Sequence, residues 1–112
     1  MHPLRAAWIA CGEPCSLADW CEAFAAWEVR PVVVSGEVVG AVLANGPEVH
    51  VAVLPHVRGR WCTPSLWRWA ITDRQAKYGR LVTFGNTDNA FITRAGFLPI
   101  ETGDGIIAYQ RC

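Results

Sequence analysis

Short apolar blocks, separated by glycine, proline and asparagine, predict a series of short strands and helices along this chain. The apolar run at residues 4–10 predicts a first strand. A helix over residues 17–26 follows, because Ser16 is a good N-cap and an aspartate stands three residues later. β-Branched residues at 32–34 and apolar residues at 38–43, interrupted by a serine–glycine pair, predict an antiparallel hairpin.

The second half of the chain predicts one long helix between strands, then a short helix and a hairpin. Residues 49–54 are apolar at nearly every position, which is typical of a central strand covered on both faces. A helix over 64–78 begins at a Thr-Pro pair and ends at a glycine. A strand at 81–84, a helix at 86–95 and a hairpin at 100–109 complete a mixed α/β (α+β) order, with antiparallel strands first and a strand-helix-strand crossover in the middle.

Composition predicts one well-packed domain over residues 1–112. The 112 residues are enough for one core and too few for two. Apolar residues make up 52% of the chain and charged residues 18%, with six tryptophans, so we expect order, and an apolar surface for a protein partner or a homo-oligomer. The formal net charge of zero argues against general binding to nucleic acid or acidic membranes.

The basic residues are nevertheless unevenly spread, because six of the ten lie between Arg58 and Arg80, with Asp73 as the one carboxylate among them. A basic helix that binds nucleic acid is one interpretation. Arg68 and Lys77 are nine residues apart, and about 100° per helical residue places them on opposite sides of a helix. A single basic stripe is therefore not predicted, and a solvated face or a local anion site remains.

Cysteine usage predicts a reducing environment. The five cysteines are odd in number and no signal peptide precedes them, so we expect a cytoplasmic protein. Cys11, Cys15 and Cys21 lack the paired spacing of a zinc site, which favours buried thiols and no metal. No run approaches the roughly 20 uncharged apolar residues that cross a bilayer, so no membrane partner is expected.

A glycine flanked by arginines at a helix start predicts an anion site. Gly59 stands between Arg58 and Arg60, just before the helix that begins at Pro64. Helix N-termini leave backbone N–H groups unpaired and carry a partial positive charge, and glycine lets a ligand approach the backbone, so the loop suits a pyrophosphate. Ordinary surface charges are the alternative.

This loop resembles the acetyl-CoA loop of the GNAT superfamily of N-acetyltransferases, Arg/Gln-x-x-Gly-x-Gly/Ala after a strand ending in Val-x-Pro. Here it reads His56-Val57-Arg58-Gly59-Arg60-Trp61, so the first glycine matches and a tryptophan replaces the second small residue. The stretch at 86–97, from an asparagine to a Gly-Phe pair, is similar to the family's second motif. The resemblance covers about residues 38–109 and implies an abbreviated N-terminal part, and the size and tryptophan content loosely resemble a phage-borne domain.

The resemblance implies a GNAT-like, mostly antiparallel sheet with helices on both faces and acetyl-CoA as co-substrate. Strands 49–54 and 81–84 would splay apart around the pantetheine arm, with the backbone amides of two valines on the first strand polarising the thioester carbonyl. The helix-start loop would bind the pyrophosphate, and one of two asparagines would contact the pantetheine or nucleotide. The residues implied are Val51, Val53, Arg58, Gly59, Arg60, Trp61, Cys62, Thr63, Asn86 and Asn89.

Direct attack by an amine on the acetyl group needs a base and an acid. Glu48 and His50 lie on one face of the central strand by the two-residue period, and both are candidates for the base. The alternative is a surface glutamate beside a hydrogen-bonded core histidine. The tyrosine that often serves as the acid in the family is replaced by Ile92, and we expect Tyr78 and Tyr109 to be packing residues.

Other residues near the loop have simpler interpretations. The helix start and the arginines beside Cys62 favour a lowered thiol pKa, although a packed, unreactive thiol is the preferred interpretation. Trp61, Trp67 and Trp69 are expected in the core or an interface.

Two functions remain open: an N-acetyltransferase acting on an amine, and a GNAT-fold binding or structural module without catalysis, for example in a larger phage assembly.

Overall fold

One six-stranded sheet forms the centre of the protein. The structure is a computed structural model, and it describes residues 1–57, 59–85, 90–103 and 106–112. The strands lie in the order β1-β2-β3-β4-β6-β5 across the sheet. Their bounds are β1 Glu28–Val34, β2 Glu37–Asn45, β3 Glu48–Val53, β4 Leu81–Gly85, β5 Leu98–Gly103 and β6 Ile106–Arg111.

Helices cover both faces of this sheet. The first face carries α1 (Pro3–Ala10) and α2 (Leu17–Ala23). The opposite face carries a continuous helical segment, in which α3 (Pro64–Trp67), a π-helical turn (Arg68–Thr72) and α4 (Asp73–Tyr78) follow without a break. We call residues 64–78 the central helix. A 3₁₀ turn (Pro55–Val57) leads towards it, and α5 (Ala90–Arg94) packs on the same face.

The sheet consists of two antiparallel halves joined at one point. β1, β2 and β3 pair antiparallel, and so do β4, β6 and β5. β3 and β4, which the structure describes in full, run parallel and pair at a single position, Glu48 opposite Val82. Beyond this pair the two strands diverge, so the halves form a V. The predicted fold class, a mostly antiparallel α+β sheet with helices on both faces and a central crossover, is confirmed.

The closed end of the V is fixed by two interactions with the turn between β2 and β3. The backbone N–H of Val82 donates to the carbonyl of Pro47 at 2.8 Å. The buried guanidinium of Arg74 donates to the carbonyl of Gly46 at 2.9 Å and to Glu28 at 2.6 Å. The central helix is thereby tied to the point from which β3 and β4 diverge.

Residues 4–10 form a helix, so the strand predicted there is wrong. Pro3 occupies the first helical position, and the side chain of His2 accepts a hydrogen bond from the Leu4 N–H at 3.1 Å. Leu4, Ala7 and Trp8 pack on the first face of the sheet, which is the helical spacing of three and four residues. A run of seven largely apolar residues is equally compatible with a strand and with a helix. The hydrogen bond by which His2 caps this helix is not apparent from the hydrophobic pattern.

The remaining elements match the predictions closely, with two differences. α2 ends at Ala23, three residues before the predicted end. Val51 is 38% exposed, so β3 is not covered on both faces. Both hairpins form as expected. The central helix begins after its N-cap Thr63 and ends at Gly79, whose φ is 79°, also as expected. Of the helix predicted at 86–95, residues 86–89 lie outside the described residues, and α5 spans Ala90–Arg94.

Gly40→Ala should destabilise the protein strongly. A Cβ at this position would overlap the Ala52 carbonyl oxygen and lie 2.7 Å from the Cα of Val53. Because backbone atoms cannot move away as a side chain would, we expect a loss of about 3 kcal/mol in the free energy of unfolding. Urea denaturation measures this loss. Gly103→Ala, where a Cβ meets open space, is the control, and equal stability of the two variants would contradict the packing described here.

Candidate functional site

The divergence of β3 and β4 opens a cleft of about 700 Å³. Its walls come from residues 49–53 of β3 and 83–85 of β4, and it reaches both faces of the sheet. Ala10 and Cys11 at the end of α1 line it on one face, and Leu66, Trp67, Ala70 and Ile71 of the central helix line it on the other. The cleft is therefore a passage through the sheet at the point where the strands separate.

The backbone of β3 presents hydrogen-bonding groups to this cleft. The N–H of Leu54 donates to Val39 on β2 at 2.8 Å, and Val82 on β4 donates to Pro47. Since backbone groups alternate in direction along a strand, even-numbered residues of β3 face β2 and odd-numbered ones face β4. Val51 and Val53 come after the single pairing position with β4. Their N–H groups therefore point into the cleft, where neither pairs with a strand in the described chain.

The loop before the central helix reaches the cleft at Gly59. Its φ is +88°, a left-handed conformation that favours glycine, and a Cβ there would meet only open space. Arg60 is exposed, and its guanidinium donates to the carbonyl of His56 at 3.0 Å. Thr63 caps the helix, with its hydroxyl accepting from the N–H of Leu66 at 3.2 Å. The loop is thus an open turn with one arginine beside a capped helix start.

Trp61 and Cys62 both line the cleft, although in different ways. Trp61 is 7% exposed and packs its ring at 5.1 Å from that of Phe91 in α5. Cys62 is an exposed residue, but the atoms packed around its sulfur partly desolvate the thiol and raise its pKa, so the lowered pKa expected from the helix start and the arginines is wrong. All five cysteines are exposed, which also corrects the expectation of buried thiols.

Glu48 and His50 meet on the first face of the sheet. The Nε2 atom of His50 lies 2.5 Å from a carboxylate oxygen of Glu48, and both side chains are partly exposed, 26% for His50 and 33% for Glu48. His50 lines the cleft, whereas Glu48 is not among its lining residues. A proton on Nε2 shared with Glu48 leaves Nδ1 as the acceptor of the ring. The two side chains therefore form a hydrogen-bonded carboxylate–imidazole pair at the edge of the cleft.

The predicted site residues fall into three groups. Six line the cleft: His50, Val51, Val53, Gly59, Trp61 and Cys62. Glu48, Arg60 and Thr63 are close in sequence to this group without lining the cleft. Arg58, Asn86 and Asn89 lie outside the described residues.

Neither tyrosine lines the cleft. Tyr109 is fully buried in the core on the face of the central helix, and Tyr78, at the end of that helix, lies against Arg74 and Lys77. Tyr109 is a packing residue, as expected, whereas Tyr78 is 39% exposed and not part of the core. Ile92, which stands where the family often has its acid, does line the cleft.

Two aromatic rings beside His50 were not predicted. The Trp27 ring lies 5.6 Å from the imidazole, and the Phe84 ring, on β4, lies 5.9 Å from it and nearly parallel. Phe84 could have been found from the two-residue period of the strand after the central helix, once β3 and β4 were placed side by side. Trp27 precedes β1 in an irregular segment, and no sequence pattern indicates its position.

Among the described residues there is no group of three or more side chains suited to holding a metal ion. Within the same part of the chain, no helix is both long and apolar enough to span a membrane.

Comparisons with known proteins identify the fold. A protein from Bordetella pertussis, described as a "putative GnaT-family acetyltransferase", is 18% identical, with a TM-score of 0.63 over 89% of this chain and 79% of that one. A "putative acetyltransferase" from Agrobacterium tumefaciens is 16% identical, with a TM-score of 0.50 over 89% and 88% of the two chains. No family model and no curated protein matches the chain. At these identities the likeness shows the fold alone: the chain has the GNAT fold.

The raised pKa of Cys62 can be measured by alkylation. Because burial disfavours the thiolate, which is the reacting form, labelling of Cys62 by iodoacetamide should have its midpoint at a higher pH than labelling of an unstructured cysteine peptide. Peptide mass spectrometry after timed labelling gives the rate at each pH. The urea-unfolded chain is the control, in which the difference should disappear; a midpoint below that of the peptide would contradict the burial of this thiol.

Proposed function

We propose that this protein is an N-acetyltransferase that transfers an acetyl group from acetyl-CoA to an amine acceptor. The observation that carries the proposal is the cleft between β3 and β4, into which the N–H groups of Val51 and Val53 point without a strand partner in the described chain. Backbone donors that lack a strand partner can bond to a ligand acceptor, and an extended amide-containing chain such as pantetheine supplies carbonyl groups along its length.

The residues present fit acetyl-CoA. Val51 and Val53 offer backbone donors to the pantetheine arm and the thioester carbonyl. Gly59 leaves open space where a side chain would stand. The Arg60 N–H already donates to the carbonyl of Val57, so the amides of Trp61 to Thr63 and the Arg60 guanidinium would receive the pyrophosphate at the start of the central helix. Arg58, Asn86 and Asn89 remain proposed contacts from the sequence. When bound, acetyl-CoA supplies a thioester that an amine can attack.

Glu48 and His50 would prepare the acceptor for this attack. An ammonium group must lose a proton before its nitrogen becomes nucleophilic. The Nδ1 atom of His50 would take that proton, while Glu48 holds Nε2 at 2.5 Å and stabilises the protonated ring. No tyrosine lines the described part of the cleft, so we assign reprotonation of the departing thiolate to solvent or to the protonated His50.

A reducing cytoplasm is the proposed setting. All five cysteines are exposed, and exposed thiols remain reduced only where cellular reductants maintain them.

A GNAT-fold module without catalysis, in a protein assembly such as that of a phage, is the second candidate. It is favoured by Trp61, which lines the cleft beside the proposed cradle, and by Ile92, which offers no proton donor where the family often has tyrosine. Such a module would not bind acetyl-CoA in the cleft. It would instead use an exposed surface for its partner.

Calorimetric titration with acetyl-CoA separates these candidates. We expect micromolar affinity for the unmodified protein and a loss of at least about tenfold in Arg60→Glu, because one phosphate contact is replaced by repulsion and every 1.4 kcal/mol is tenfold. Arg68→Glu, a charge reversal at an exposed position of the central helix away from the cleft, is the matched control. Absence of binding at millimolar acetyl-CoA would reject the enzyme and favour the structural module.

Substitution of the proposed base should reduce turnover and leave cofactor binding unchanged. In His50→Gln we expect kcat to fall about 100-fold, since general base catalysis contributes about 10²–10⁴. Glu48→Gln keeps the size of the side chain but weakens its hydrogen bond to the imidazole, so we expect a smaller decrease in kcat, roughly tenfold. Steady-state assays with a reactive amine give kcat, and calorimetry gives the acetyl-CoA affinity. Unchanged kcat in His50→Gln would remove His50 from the mechanism.

A further inference from the structure

The proposed base lies within a row of aromatic rings that crosses the cleft. Ring centroids are separated by 4.7 Å from Trp20 to Phe24, 5.0 Å from Phe24 to Trp27, 5.6 Å from Trp27 to His50 and 5.9 Å from His50 to Phe84. The row begins in α2, passes through the turn before β1 and ends on β4. His50 is thus flanked by an aromatic ring on each side.

The exposed end of this row is Phe84. Its side chain is 45% exposed, and its ring is stacked on the imidazole at an interplanar angle of 23°. α1 packs mainly against β1, β2 and β3, and its end at Ala10 lines the same cleft as this ring. Phe84 also lines the cleft. The ring therefore lies nearly parallel to the imidazole and keeps a large exposed area at the cleft, which suits contact with a flat apolar group.

The charge of the cleft restricts the acceptor further. Apart from cysteines, the described lining residues that ionise are His50 and Arg94, and none is a carboxylate. A polyamine or an aminoglycoside carries several ammonium groups, each of which needs a negative partner when it leaves water. Near the described lining, the one carboxylate available as such a partner is Glu48, which bonds to His50. The cleft accordingly matches a molecule with a single ammonium group and an apolar body.

We propose that the acceptor is a primary amine carried on an aromatic group, a conclusion that rests on the proposed function. The aromatic group stacks on Phe84, the aromatic ring beside His50 that lines the cleft. The ammonium proton passes to Nδ1 of His50. The amine nitrogen then bonds to the thioester carbonyl carbon as the carbon–sulfur bond breaks. The nitrogen releases its second proton to solvent, and the thiolate takes one proton from His50 or from solvent, so the products are the N-acetylated amine, coenzyme A and one proton.

The test compares phenethylamine with two polar amines, ethanolamine and spermidine, at saturating acetyl-CoA, with the acetylated products measured by mass spectrometry. We expect kcat/KM for phenethylamine to exceed both others at least tenfold. Phe84→Ala should raise the KM for phenethylamine about tenfold and reduce the ratio of its kcat/KM to that of ethanolamine by a similar factor. Calorimetry with phenethylamine in the presence of coenzyme A, which allows no turnover, should show the same tenfold loss of affinity in Phe84→Ala.

Leu98→Ala is the matched control, because Leu98 is 65% exposed on β5 and does not line the cleft. If Phe84 and Leu98 instead belonged to one surface covered by a second copy of the chain, both variants would change the sedimentation behaviour and neither would alter the preference among amines, which would overturn the inference. Acetyl-CoA binding together with equal rates on ethanolamine, or with no acetylation of phenethylamine, would also overturn it. In those cases the cofactor site itself would stand.

Discussion

The single pairing position between β3 and β4 is the constraint on which the rest of this structure depends. A sheet normally satisfies the backbone groups of each strand with those of its neighbours. Here the pairing stops after Glu48 and Val82, and odd-numbered residues of β3 beyond that point face a gap. The gap exists because the strands are held together only at one end, where Arg74 and the Val82 N–H bind the turn between β2 and β3.

This arrangement gives the cleft two different entrances. On the face of the central helix, the lining is built from apolar side chains and from the loop at Gly59. On the face of α1, the end of that helix, His50 and Phe84 form the wall. In the proposed reaction the coenzyme would enter from the first side and the amine from the second, and they would meet between the strands. Two substrates can then approach each other in line without competing for the same surface.

Sequence patterns predict the elements whose geometry depends on neighbouring residues, and they predict less where an element depends on contacts between distant residues. The helix start at Thr63, the glycine at its end and the hairpins follow from capping and turn residues that act within a few positions. The sequence predicts a strand where the first helix lies, because a short apolar run fits the strand period and the helix period equally well. The packing of Ala7 and Trp8 on the sheet, which the sequence does not show, favours the helix.

The candidate site shows the same division. That Glu48 and His50 share a face follows from the strand period, and their contact bears this out. The rings of Trp27 and Phe84 reach His50 from segments 23 residues before and 34 residues after it, and no local pattern links them. Likewise, the pKa of Cys62 depends on how closely the folded chain surrounds its sulfur, which neighbouring charges alone did not indicate.

The raised pKa of Cys62 has a redox consequence for the open cleft. Thiol–disulfide exchange proceeds through the thiolate, so a thiol held in its protonated form exchanges slowly. Cys62 lines the same space that a ligand would fill, and a mixed disulfide at its sulfur would obstruct that space. The partial desolvation of this sulfur therefore disfavours the thiolate through which such a disulfide would form.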